Sequence, residues 1–123
     1  MTKVYYNKLI RDHIKDKIEA KGEACEVREV TDPAEYQQEL LKKVQEEAAG
    51  LAKVRSRAEF LQEYADLMVV LDALTAELEL SEADIQTALA ENVEQKGFYK
   101  NRHFLHWSAD GEYQSNETPQ GLH

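Results

Sequence analysis

Apolar positions along this chain recur with the spacing of helices. Ile10, Ile14 and Ile18 repeat every fourth residue and predict a short helix over about 9–21, stopped by Gly22. Asp32-Pro33-Ala34-Glu35 reads as an N-cap, a proline at the first helical position and a reciprocal glutamate, which opens a second helix over about 33–54. Ser56-Arg57-Ala58-Glu59 repeats the capping box ahead of a helix over about 57–79. Ser81-Glu82-Ala83-Asp84 approximates it ahead of one over about 82–96, which Gly97 ends. Residues 25–30 and 104–107 carry a weak extended pattern. The expected fold is all-α, an antiparallel bundle of about four helices over residues 1–107, followed by a polar tail, 108–123, with a turn at Asp110-Gly111.

The third helix is unusual. Residues 64–74 hold Asp66 and Asp72 as their charged members and are otherwise almost apolar all round. One short chain has few helices to cover such a surface, so a homodimer or a dimer of dimers is expected.

Helical geometry gives two acids an inward direction. At about 100° per residue, Glu63 falls within about 40° of Leu67, Val70 and Leu74, and Asp66 lies about 60° round, one turn on. On the second helix Glu47 falls within about 60° of Tyr36, Leu40, Val44, Leu51 and Val54, with Glu46 at the edge of the same face. Two consecutive antiparallel helices therefore each aim a glutamate into their shared seam. Buried carboxylates stay charged when a cation joins them. One solution is a basic side chain, for which Lys43, Arg11 and Lys96 are the candidates. The other is a divalent metal, and all-oxygen ligands suit Mg²⁺, with Mn²⁺ as substitute.

Charge and composition narrow the function. The 123 residues carry a formal net charge of −9 and a pI near 4.9, which opposes binding to nucleic acid or to anionic membranes. A polyphosphate ligand would need cations as a bridge. The lone Cys25 excludes an intrachain disulfide and fits a reducing compartment. The apolar run 67–71 is far shorter than the ~18 residues of a membrane span, and the N-terminus lacks the apolar core of a signal peptide; a cytoplasmic protein is expected. His103-x-x-His106 lacks metal partners nearby in sequence, and Phe104 and Trp107 read as packing residues. The five scattered glycines form no phosphate loop.

The arrangement Glu47-x-x-Gly50, twelve residues, then Glu63-x-x-Asp66 resembles the ExxE…ExxD signature of the MazG-like all-α nucleoside triphosphate pyrophosphohydrolases. YNKLIRD, residues 6–12, is similar to the YNKLVRDKI opening of the branch described as phosphoribosyl-ATP pyrophosphohydrolase-like. Lys96-Gly97-Phe98 followed by Leu105 looks like that branch's RGGF…L segment. The resemblance implies a helical dimer whose acids bind Mg²⁺ and which hydrolyses an NTP or dNTP to NMP and pyrophosphate. Carried over by position, Glu47, Glu63 and Asp66 are metal ligands. Glu46 or Glu47 takes the proton of the attacking water. Lys8, Arg11, Asn92 and Lys96 are phosphate contacts, although for Arg11 a salt bridge to an inward acid is an equal alternative. The chain departs from the pattern at Gly50, where a second glutamate is expected and where its carboxylate would reach a shared ion. Asn92 and Lys96 replace the more usual lysine and arginine, and one glycine of RGGF is missing. Phosphoribosyl-ATP is an alternative substrate, and a helical dimer binding nucleotide or protein without turnover is the alternative function.

Overall fold

Four helices form near the places the local signals mark. The computed structural model describes residues 2–112, so the remainder of the expected tail lies outside the described residues. The helices are α1 (Ile14–Ala20), α2 (Pro33–Leu51), α3 (Arg57–Glu77) and α4 (Glu82–Lys96). The fold is all-α, with no strand among the described residues. The extended patterns at 25–30 and 104–107 remain irregular backbone.

The caps explain the boundaries. Ser56 Oγ accepts from Glu59 N at 3.1 Å, while the Glu59 carboxylate reaches one residue further, to Arg55 N at 2.8 Å. At α4 the box is reciprocal: Asp84 N donates to Ser81 Oγ at 3.1 Å and Ser81 N to Asp84 Oδ2 at 2.8 Å. At α2 the box is half made. Asp32 Oδ1 accepts from Ala34 N at 3.4 Å, but Glu35 turns outward to a two-pronged pair with Arg28 at 2.6 and 3.1 Å. The guanidinium holds the Glu35 carboxyl below its ordinary range. The two-pronged pair with a full cation displaced the single capping bond to a backbone N–H.

Helix ends follow backbone freedom. Gly22 and Gly97 adopt φ of 81° and 75°, the left-handed residue that terminates a helix. α3 ends the same way without glycine: Glu79 has φ 57°, and Leu80 N returns to Thr75 O at 2.9 Å. α1 begins at residue 14, five residues later than its isoleucine repeat predicts. Asn7 is left-handed at φ 47°, and Leu9 leaves the helical register to pack on the α2–α3 core. A tertiary contact outweighed a weak local propensity.

α2 packs on α3, and their direction can be read from the partners. Leu40, early in α2, clusters with Val70 and Leu74, late in α3, whereas Gly50, near the end of α2, lies against Glu63, early in α3. The two run antiparallel. Leu40, Val70 and Leu74 are buried, and Leu9, Tyr36, Val44 and Ala73 pack around them. The other edge of α3 is bare: Phe60, Leu61, Tyr64, Met68 and Leu71 are 36–65% exposed. Phe60 and Tyr64 stack on each other with centroids 5.8 Å apart.

The chain divides into two units, Met1–Ile85 and Gln86–His123. The second contains most of α4, on which Val93 is half-buried and Leu89 exposed. No helix among the described residues is long and apolar enough to cross a membrane.

Candidate metal centre

The α2–α3 seam brings together the three acids expected there. Glu47, Glu63 and Asp66 each offer a carboxylate oxygen, and these atoms lie within 4.8 Å of one another. All three residues are half-buried. The placement follows from the core: Leu40, Val70 and Leu74 fix the rotation of both helices. Glu47 and Glu63 share those arcs, so packing the apolar face brings the acids together.

The electrostatics are those of crowded anions. The Glu47 carboxyl is pushed above its ordinary value, first by burial and then by the charge of Asp66, with smaller contributions from Glu63 and Glu46; Lys43 acts in the opposite direction. Arg11 lies 3.6 Å from Asp66, with both side chains about half exposed or more. Such an exposed, long pair contributes little. Among the described residues, no hydrogen bond or ion pair holds Glu47 or Glu63. Three oxygen donors crowded together, with one of their carboxyls resisting ionisation, are a donor set that suits a hard divalent cation.

The other expected residues are distributed differently. Glu46 points away to a 2.9 Å pair with Lys43 and is not one of the three grouped acids. The same pair engages Lys43, one of the basic candidates for Glu47, although its charge still acts on that carboxyl. Lys8 Nζ lies 5.5 Å over the Tyr6 ring. Asn92 and Lys96 are exposed on α4. Their helix supplies few apolar neighbours, since it has no fully buried residue. His103 and His106 are exposed, the latter edge-on to Phe104 at 5.1 Å.

Gly50 differs most from its sequence reading. It belongs to the last turn of α2, which ends at Leu51 rather than running to 54. A Cβ built there would lie 2.8 Å from Glu63 Oε2 and 3.3 Å from its Cδ. A side chain at 50 therefore requires the flexible end of Glu63 to shift, because its first carbon would take space that this carboxylate fills. No family model, no curated protein and no solved structure matches the chain.

Proposed function

We propose that Glu47, Glu63 and Asp66 hold Mg²⁺ or Mn²⁺, and that the chain is a nucleotide pyrophosphohydrolase cleaving the α–β anhydride of an NTP or dNTP to NMP and pyrophosphate. The observation that carries this reading is the convergence of three carboxylate oxygens from two helices within 4.8 Å. The motif order in the sequence supplies the reaction class. A bound divalent ion neutralises charge on the phosphate oxygens and makes a nearby water more acidic.

The chain's own groups have separate tasks. Glu47 or Glu46 receives the proton of the attacking water. Glu46 is available for this task once it leaves Lys43. Arg11, loosely held at 3.6 Å from Asp66, is free to exchange that carboxylate for a nucleotide phosphate with a two-pronged geometry. Lys8, Asn92 and Lys96 are exposed donors of the type that phosphate oxygens need.

We further read the working form as a homodimer. The bare edge of α3, from Phe60 to Leu71, presents roughly 400 Å² of apolar surface at the exposures above, which is in the range of interaction patches.

Pyrophosphate release from a panel of NTPs, dNTPs and phosphoribosyl-ATP, with Mg²⁺ or Mn²⁺, tests the activity. Release from one substrate class identifies the substrate. No release from any of them refutes the enzyme. The second reading, a dimer that binds nucleotide or protein without turnover, is favoured by the missing fourth carboxylate at Gly50. Nucleotide binding without product would establish it.

A further inference from the structure

Glycine at position 50 is not required by its backbone. Gly22 and Gly97 have left-handed φ and open space where a Cβ would be, whereas Gly50 has no such φ and the space is filled. Helical glycine is otherwise a destabilising choice. What fills the space is the Glu63 carboxylate, whose Oε2, Cδ and Oε1 lie 2.8, 3.3 and 3.8 Å from the position of the absent Cβ. No hydrogen bond or ion pair among the described residues fixes that carboxylate. The room on α2 determines where it rests.

We infer that Gly50 is a positioning residue: its missing side chain seats the Glu63 carboxylate against α2, where it converges with Glu47 and Asp66. The inference rests on the metal reading of the cluster and deepens it. Any side chain at 50 drives the flexible end of Glu63 outward while the fold persists, because a carboxylate terminus moves at little cost. Ligand geometry is then lost without loss of structure. On this view the glycine is not a vacancy left by a lost ligand. It is the surface on which a ligand from the facing helix lies, and a glutamate at 50 would compete with Glu63 instead of adding to it.

Mn²⁺ titration by calorimetry on the parent, Gly50→Ala, Glu63→Gln and the double variant tests this. Gly50→Ala is expected to raise Tm by about 1–4 °C, the helix-propensity gain, while weakening Mn²⁺ binding about tenfold. In the Glu63→Gln background the same change is expected to leave Mn²⁺ affinity unaltered, because the group it displaces no longer acts as a ligand. A merely structural glycine would not divide stability from affinity in this way. Gly50→Ala binding Mn²⁺ as tightly as the parent overturns the inference and leaves the metal reading standing. A parent that binds no Mn²⁺ overturns the metal reading; the crystal structure of Gly50→Ala then decides the seat, a displaced Glu63 carboxylate supporting it and an unmoved one overturning it.

Discussion

Tyr64→Ala offers a direct way to test whether the bare edge of α3 joins two copies. Tyr64 is 47% exposed and lies between Phe60 at 45% and Met68 at 37%. At about 100° per residue, Phe60, Tyr64, Met68 and Leu71 fall within about 80° of arc. A large aromatic side chain presents ~200 Å², so close to 90 Å² of Tyr64 remains to be covered. At ~25 cal/mol per Å² this is worth about 2 kcal/mol for each chain. A twofold interface counts the change twice, for about 4 kcal/mol, or a roughly thousandfold rise in the dimer dissociation constant. The isolated chain should lose about 2 kcal/mol as well, since the other half of the side chain is covered within it and stacks on Phe60. The comparison is therefore made at a temperature where circular dichroism shows unchanged helix content. Gln62→Ala, roughly 160° round α3, is the control and should leave the constant alone. Sedimentation equilibrium from nanomolar to micromolar concentration reads the result. A parent that is a folded monomer at micromolar concentration refutes the reasoning. So does a Tyr64→Ala dimer whose constant lies within threefold of the parent's, for then the contact surface is elsewhere.

Three further outcomes follow from the seam and the caps. Glu63→Gln and Asp66→Asn should each lower metal-dependent pyrophosphate release at least a hundredfold while Tm in chelator holds or rises, because each removes a charge from a crowded anionic site; a variant with parental turnover would show that its carboxylate is not a ligand. Glu47 has a raised carboxyl, so the folded state binds that proton more tightly than the unfolded state, and stability falls as pH rises from the ordinary carboxylate range through the raised value. Glu47→Gln should accordingly be more stable than the parent at pH 7 in chelator and equal to it near pH 4, and saturating Mn²⁺ should stabilise the parent more than the variant; thermal melts showing a gap that does not change with pH would contradict this assignment. Glu79, left-handed at φ 57° after α3, should gain about 0.5–1 kcal/mol on change to glycine, which takes that conformation without a Cβ penalty; denaturant melts with no shift in midpoint would show that the strain is absorbed elsewhere.

Features that depend on a few neighbouring residues, or on the period of one helix, are legible along the chain. Ser56 and Ser81 placed the starts of α3 and α4, and Gly22 and Gly97 stopped α1 and α4, because caps and left-handed stops are satisfied within a turn. The seam was equally accessible: counting 100° steps put Glu47 among the residues that pack on Leu40, and Glu63 beside Val70 and Leu74, and once those side chains meet, their acids must meet too. How the side chains share that space follows from the packing of separate segments. The pairing of Glu46 with Lys43 rather than with the cluster, the withdrawal of Leu9 from its helix into the core, and the reach of Arg11 to Asp66 each depend on distances between segments that a periodicity does not contain. Gly50 shows the difference most sharply. Along the chain it is a position where a ligand is missing. In the fold its empty side is filled by the carboxylate of a residue thirteen positions away, because the separation of two helices and the rotamer of a side chain on one of them set what the backbone of the other can carry.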